Sequence, residues 1–241
     1  MKKIISLLLL LALLTGCAAA PVATEPTQPA TTPTVTEPTV LETAPSETEP
    51  SEPRPEGLYV HFIDVGQADC ALLECDGEYA LIDCGNTEDG PLVIEYLQNL
   101  GVERLSLAVG THPHEDHIGG FASVLHEFDA DTVWFSYTPY VNWVVEGFQR
   151  AVMMQSKSIT KPKVGDTFQL GSATITMLGP VKTSYEDVND LSLVLMVQYG
   201  ETRFLFTGDM EAIAENDLLD SGADVKADVL KVGHHGSYSS T

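Results

Sequence analysis

Basic residues are scarce in this chain. Its 241 residues include 12 Lys and Arg against 35 Asp and Glu, which gives a formal net charge of −23. A protein that grips a nucleic-acid backbone normally presents clustered Lys and Arg, and the short basic run at 157–163 also fits a solvated loop. The composition argues against extensive nucleic-acid contact, although bound metal ions can hold a phosphodiester locally.

Long apolar runs are absent as well. The run at 4–14 falls well below the roughly 20 residues that a membrane-spanning helix needs. It follows Lys2 and Lys3 and leads into Leu14-Thr15-Gly16-Cys17, which resembles the cleavage box of bacterial lipoproteins. We therefore predict that residues 1–17 are a signal peptide, that Cys17 carries lipid, and that the protein is extracytoplasmic and anchored to the cell membrane.

Large apolar side chains are rare from residue 18 to residue 56, where Pro, Thr, Glu, Ala and Ser dominate. Such a segment cannot bury enough surface to offset its ordering entropy, and its prolines keep it extended. It is predicted to be a disordered linker. Residues 57–241 are long enough for a single domain with a buried core.

Cysteine is also rare, with four in the chain. Cys17 is assigned to lipid, and the other three, Cys70, Cys75 and Cys84, have no CxxC spacing. Cys70 and Cys75 would lie roughly 16 Å apart along one strand, beyond disulfide reach. Cys84 is expected on the face opposite Cys70. The pattern predicts three buried, reduced thiols.

Strand patterns alternate with helix patterns from residue 57 onward. Short apolar runs predict strands, and a 3.6-residue apolar period predicts helices. The strands are expected at 58–64, 70–75, 78–83, 105–109, 131–135, 193–199, 203–206 and 229–232, with a hairpin at 167–178. Helices are expected at 91–100, 120–128 and 142–155. This alternation favours an α/β fold of mixed sheets covered by helices.

The densest group of metal-binding side chains follows the strand at 105–109. Residues two apart on an extended chain project to one side, so His112 and His114 can hold one cation. Asp116 and His117, past the bend, can reach a second cation about 3.5–4 Å away. The alternative, a His-rich surface loop, suits a lone His better than this spacing.

Two more segments end in metal-binding residues. Asp209 follows the strand at 203–206, and its carboxylate can bridge two cations while Gly208 lets the backbone approach. Alternatively, Asp209 caps the helix that follows. His234 and His235 come after the strand at 229–232. Since adjacent residues of an extended chain face opposite ways, only one of them is expected to be a direct ligand.

The motif His112-x-His114-x-Asp116-His117 resembles the signature of the metallo-β-lactamase-fold hydrolases. Four further segments agree in order with the ComEC-like branch of that family, at 62–69, 81–85, 204–209 and 230–237. The resemblance covers 57–241 and implies an αββα sandwich, two mixed β-sheets flanked by helices. Relatives usually continue past the final His motif, so a C-terminally truncated fragment is expected.

The resemblance also implies roles at the site. His112 and His114 would hold the first metal, Asp116, His117 and His235 the second, and Asp209 both. The family pattern of His before Gly favours His235 as the ligand. Asp83 would orient the metal loop. Asp116 and His234 are the candidate catalytic residues, with His234 donating a proton to the leaving group or hydrogen-bonding the substrate.

One family ligand is missing. Many members place a His before the strand that precedes the bridging Asp, but this chain has no His between His126 and His234. Asn189 is the candidate replacement, and Asp190 is a weaker one. Because an amide oxygen is a weaker and harder ligand than imidazole, this exchange would favour Mn²⁺ or a loosely filled first site.

The expected activity is metal-dependent hydrolysis of phosphodiesters by a metal-bound hydroxide, with two divalent ions, Zn or Mn, as cofactors. The substrate would be a small-molecule or cell-wall phosphodiester or extracellular DNA, and the acidic charge favours the smaller ones. Two alternatives stay open. One is a hydrolase of other specificity, such as a lactonase or β-lactamase, and the other is a degenerate surface binding module without turnover.

Overall fold

Two β-sheets face each other in this protein, whose computed structural model describes residues 56–136 and 142–240. The predicted signal peptide, Cys17 and nearly all of the linker lie outside the described residues. In the part that is described, no helix has the length and hydropathy to cross a membrane.

The first sheet has six strands in sequence order. They are β1 (Leu58–Phe62), β2 (Ala71–Cys75), β3 (Glu78–Ile82), β4 (Arg104–Gly110), β5 (Asp129–Phe135) and β6 (Ile159–Thr160). The pairs β1–β2 and β2–β3 are antiparallel, and the three pairs from β3 to β6 are parallel. The last four strands, β3 to β6, therefore end at the same edge of the sheet.

The second sheet has five strands in the order β11-β10-β9-β8-β7. They are β7 (Thr167–Leu170), β8 (Ala173–Gly179), β9 (Val194–Tyr199), β10 (Thr202–Phe206) and β11 (Val229–Lys231). Only β10 and β11 run parallel, and the other pairs are antiparallel. The sheet is mixed, as predicted, and β10 and β11 end at one edge.

Helices cover the outer faces of both sheets. They are α1 (Gly90–Asn99), α2 (Glu115–Ile118), α3 (Phe121–Glu127), α4 (Trp143–Met154) and α5 (Ala212–Asp220). The apolar contacts form three layers: α1, α3 and α4 pack on the first sheet, the two sheets pack on each other, and α5 packs on the second sheet. The expected αββα sandwich is confirmed.

The alternation of side chains along the strands produces these layers. In β9, Leu195 and Val197 point into the layer between the sheets, whereas Val194 and Met196 point toward α5. Because successive strand residues face opposite sides, a strand covered on both faces must be apolar throughout. This explains why 193–197 is a continuous apolar run.

Several element boundaries differ from the predictions. The helical segment predicted at 120–128 is preceded by α2, which begins at Glu115 inside the metal motif. The short strand β6 lies within the basic run and was not predicted. Helix α5 has Glu211 as its N-cap residue, so the alternative role of Asp209 as that cap is wrong.

Cys70, Cys75 and Cys84 are buried and free, as predicted. However, the expected separation of Cys84 from Cys70 onto opposite faces is wrong, because both belong to the layer between the first sheet and its helices. Asp83 has φ 57°, in the left-handed region. This turn takes Cys84 out of the strand alternation on which the prediction depended.

Phe121 tests the packing of the helical layer. Its side chain is fully buried, and its ring lies 5.0 Å from that of Phe148. We expect Phe121→Ala to lower the free energy of unfolding by about 3–5 kcal/mol, because a cavity remains where the ring was. Urea denaturation followed by circular dichroism measures this change. The control Leu219→Ala, at a side chain 60% exposed, should stay within about 0.5 kcal/mol of the parent. Equal effects of the two substitutions would contradict the packing.

Candidate metal centre

The loops after β4, β10 and β11 meet at one edge of the sandwich and bring five of the predicted ligands together. His112, His114 and Asp209 each offer a ligand atom within 4.8 Å of the others. A second group within the same limit consists of Asp69, His117, Asp209 and His235. Asp209 belongs to both groups, as expected of a carboxylate shared by two cations.

The distances around Asp209 are short. Its Oδ1 lies 3.1 Å from His117 Nε2, and its Oδ2 lies 3.4 Å from His235 Nε2 and 3.8 Å from His112 Nε2. His112 Nε2 in turn lies 3.1 Å from His114 Nδ1. Two donor sets thus converge on the two oxygens of one carboxylate.

The side chains of this cluster are deeply buried, so their polar atoms need partners. His112 and His117 have no exposed surface, and Asp209 is 2% exposed. His117 Nε2 and Asp209 Oδ1 are buried without a hydrogen-bond partner, despite their closeness. Buried polar atoms are normally paired, since an unpaired one loses its hydration without compensation. Imidazole nitrogens and carboxylate oxygens that converge in this way fit divalent metal ions.

The mutual charges shift the pKa values strongly. Burial lowers the pKa of His117, but Asp83 and Asp209 outweigh it and raise the value to about 10. Hydrogen bonds to Asp116, Asp209 and Asp69 raise the pKa of His235 to about 11. Burial would raise the pKa of Asp209, yet its ion pairs with His117 and His235 hold it well below its usual range. The nearby carboxylates thus favour protonated imidazoles at His117 and His235, and the protons on the ligating nitrogens must leave when a metal binds.

Asp83 lies behind the cluster and makes three hydrogen bonds. The backbone N–H and the Oγ1 hydroxyl of Thr111 both donate to its carboxylate at 2.8 Å. His117 Nδ1 donates to it at 2.8 Å, which leaves Nε2 facing Asp209. A carboxylate that orients a metal-binding imidazole in this way commonly raises the affinity for the metal.

Hydrogen bonds also connect the loops at this edge, one of them between the two sheets. Leu193 N–H donates to Thr111 O at 3.0 Å, and Asp209 N–H donates to Ser192 Oγ at 3.0 Å. Gly208 is required here because it has φ 52°, and an added Cβ would lie 2.9 Å from Ser192 Cβ and 3.0 Å from Thr111 Cβ. The bridging candidate is thereby held against the metal loop.

Asp69 is the candidate ligand that was not predicted. It lies between β1 and β2, its Oδ1 is 3.4 Å from His235 Nδ1, and it forms an ion pair with Lys231. Its N–H donates to Asp116 O at 3.0 Å. The only sequence signal for it was its place at the end of the family-like segment 62–69. Asp116 lies outside both donor groups, with Oδ2 3.2 Å from His235 Nε2.

The segment proposed to replace the missing His lies beside the cluster. Asn189 is 5% exposed, its Oδ1 is buried without a partner, and its Nδ2 donates to Glu211 Oε1 at 3.2 Å. Asp190 instead accepts hydrogen bonds from Glu211 N and Ala214 N, at 3.0 and 3.3 Å. Its carboxylate therefore caps α5 rather than facing the donor groups.

The two adjacent histidines separate as expected, although by a different backbone conformation. Both have left-handed backbones, with φ 45° at His234 and 52° at His235. His235 joins the second donor group, whereas His234 Nδ1 lies 2.9 Å from Glu211 Oε1 and 2.9 Å from Ser239 Oγ. Only His235 therefore faces the cluster.

Replacing the carboxylate of Asp83 tests its contribution to metal binding. We expect Asp83→Asn to weaken binding of Zn²⁺ about 10- to 100-fold, because an amide oxygen accepts the Nδ1–H of His117 less strongly than a carboxylate and leaves the ring a weaker ligand. Competition with a chromophoric chelator measures the dissociation constant. Asp220→Asn, at the exposed end of α5, is the control and should bind like the parent. An unchanged affinity in Asp83→Asn would show that this carboxylate does not support the site.

Known proteins resemble this chain in sequence and structure. The profile of the metallo-beta-lactamase superfamily matches residues 63–241, and that of the prokaryotic membrane lipoprotein lipid attachment site matches residues 1–18. MEM-A1, a subclass B3 metallo-beta-lactamase from a soil metagenome library, superimposes with a TM-score of 0.52 at 16% identity, over 75% of this chain and 77% of that one. This structural likeness supports the fold.

Two relatives match most of the chain in sequence. ComE operon protein 3 of Bacillus subtilis (strain 168) is 28% identical over 200 residues, which cover 76% of this chain and 26% of that protein. The uncharacterized protein YcaI of Escherichia coli (strain K12) is 31% identical over 198 residues, which cover 79% and 24%. The chain thus spans about a quarter of the length of these relatives. With the superfamily profile over most of its length and these donor residues in place, the chain belongs to the metallo-beta-lactamase superfamily.

Proposed function

We propose that this protein is a metal-dependent hydrolase of phosphodiester bonds, tethered to the outer side of the cell membrane by a lipid on Cys17. The observation that carries the proposal is the sharing of Asp209 by two groups of donor atoms. Two adjacent divalent ions are a recurrent means of activating water against a phosphodiester, because they also stabilise the attacking and leaving oxygens.

Each metal has its own donors in this proposal. His112 and His114 hold the first ion, and Asn189 Oδ1, buried without a partner, is the candidate that completes it. His117 and His235 hold the second together with Asp69, and Asp209 contributes to both. Asp116, within 3.2 Å of His235 Nε2, is a further candidate for the second ion and for the catalytic step. Zn²⁺ and Mn²⁺ both suit such nitrogen and oxygen ligands.

When bound, the two ions would lower the pKa of a coordinated water and offset the negative charge of the phosphoryl group. The surrounding protein supplies the orientation. Asp83 holds the Nδ1 proton of His117, so that Nε2 faces the metal side. His234, whose side chain is 32% exposed, is the candidate to hydrogen-bond the substrate or to protonate its leaving group.

The charge distribution favours a small or cell-wall diester over DNA. The basic run at 157–163 does not act as one patch, because Lys157 pairs with Asp131 near the start of β5, the end of the sheet away from the donors. Lys231, beside the donors, is paired with Asp69. A long nucleic-acid backbone would therefore meet few available cations near the site, whereas a small diester needs only the metal ions.

Turnover of a simple diester tests the proposed chemistry. We expect the Mn²⁺- or Zn²⁺-loaded protein to hydrolyse bis(p-nitrophenyl) phosphate, and His114→Ala to lower the rate at least about 100-fold by removing a donor from the first ion. Release of p-nitrophenolate is measured by absorbance. His126→Ala, on α3 and outside both donor groups, is the matched control and should keep the parent rate. A folded, metal-loaded protein that leaves the diester intact would favour the binding-module alternative, and digestion of linear DNA would favour the nuclease.

The proposed tether is tested at Cys17. We expect Cys17→Ser to abolish incorporation of a clickable fatty-acid analogue and to move the protein out of the washed membrane fraction, because no thiol remains to accept lipid. Gel fluorescence and immunoblotting of fractions measure both effects. Cys70→Ser, at a thiol inside the domain, is the control and should keep the label. Labelling that persists in Cys17→Ser would remove the proposed anchor.

A further inference from the structure

Beside the donor groups, three polar side chains form a connected chain, of which the proposed metal ligation uses only the Oδ1 atom of Asn189. Asn189 Nδ2 donates to Glu211 Oε1 at 3.2 Å, and the same oxygen lies 2.9 Å from His234 Nδ1. Each residue comes from a different segment, before β9, after β10 and after β11. The fold therefore assembles this chain, and no local sequence pattern contains it.

Glu211 is held in place from two sides. Its backbone N–H donates to the buried carboxylate of Asp190 at 3.0 Å, and the amide of Asn189 binds its side chain. It follows Asp209 by two residues and begins α5 as the N-cap. Its carboxylate is thus directed at His234 from a segment that also carries the shared ligand candidate.

The contact between Glu211 and His234 indicates which ring nitrogen of His234 carries a hydrogen. An ionised carboxylate only accepts hydrogen bonds, so the nitrogen that faces Glu211 must carry a hydrogen. For a neutral imidazole, a proton on Nδ1 leaves Nε2 as the acceptor. Ser239 Oγ, 2.9 Å from the same nitrogen, can accept as well as donate and is compatible with either ring form.

The backbone directs the ring of His234 away from the donor cluster. His234 and His235 are consecutive left-handed residues, a conformation that side chains disfavour. His234 N–H donates to Gly208 O at 3.2 Å, which ties this turn to the segment of Asp209. As a result, the two rings lie 6.1 Å apart, with His235 on the donor cluster and His234 on Glu211.

We propose that Glu211 is a positioning residue that, anchored by Asn189, accepts a hydrogen bond from Nδ1–H of the His234 imidazole and so fixes the orientation in which this ring meets a substrate at the metal centre. The part of this inference that concerns substrate rests on the proposed function. The part that concerns the ring is a property of the folded chain. The two proposed roles of Asn189 use different atoms. Its Nδ2 donates to Glu211, and its Oδ1 stays available to bind a metal.

The tautomer of His234 is the first test. Long-range ¹H–¹⁵N spectra of ¹⁵N-histidine-labelled, Zn²⁺-loaded full-length protein report which ring nitrogen carries hydrogen, and His234→Ala assigns the signal. We expect the Nδ1–H pattern in the parent. It should be retained in Glu211→Gln, whose amide oxygen still accepts, and lost to mainly Nε2–H in Glu211→Ala. Glu201→Ala, in the exposed β9–β10 turn, is the control. An Nε2–H pattern in the parent, or an unchanged pattern in Glu211→Ala, would overturn the proposal.

Kinetics supply the second test. With bis(p-nitrophenyl) phosphate we expect Glu211→Ala to lower kcat about 10-fold with little change in KM, and Glu211→Gln to recover most of it. The double variant with Glu211→Ala and His234→Ala should be no slower than the single variant His234→Ala, because each substitution removes the same contact. Additive losses would show that Glu211 does not act through His234. If the parent protein turns over no diester, the proposed function fails, while the tautomer still decides the placement of His234.

Discussion

The burial of Asp209 among imidazoles is the constraint on which the rest of this structure depends. Its carboxylate is 2% exposed, between the fully buried rings of His112 and His117. Taking such charge out of water is costly unless opposite charge is close. Neighbouring carboxylates raise the pKa of His117 and of His235, so that imidazolium charge meets this requirement, and bound divalent cations would meet it with greater charge density.

Both sheets must align for this cluster to exist. His112 and His117 follow β4 of the first sheet, Asp209 follows β10 of the second, and His235 follows β11. The hydrogen bond from Leu193 to Thr111 joins the second sheet to the loop after β4. The bond from Asp209 to Ser192 joins the loop after β10 to the segment before β9, so the loops of both sheets meet at one edge. The packing of apolar side chains between the sheets therefore positions the chemistry. The two packed sheets hold the ends of these loops in fixed places, and this keeps the donor atoms at short distances from one another.

The strongly acidic composition affects which ligands the candidate metal centre can bind. Carboxylates at the rim attract metal ions and repel anionic polymers, so that an anionic substrate is expected to bind only where bound cations compensate. Lys231 is already paired with Asp69, and Lys157 with Asp131. Under the proposed function, this charge pattern favours local recognition of a phosphoryl group over contact along a polymer. The chain Asn189–Glu211–His234 adds a polar group at the same rim, oriented by contacts of the fold.

The sequence by itself determined the layers and most of the donors. Strand alternation predicted the two mixed sheets, and the spacing of His112, His114 and His117 predicted a metal site, because both signals are local along the chain. Tertiary structure alone decided that Asp69 belongs to the second donor group and that Asp190 caps α5. It also decided the pairing of His234 with Glu211 and the face on which Cys84 lies. These features depend on backbone turns past the strand ends, such as the left-handed residues Asp83 and His235. Such turns are stabilised by hydrogen bonds between distant segments, which strand periodicity does not encode.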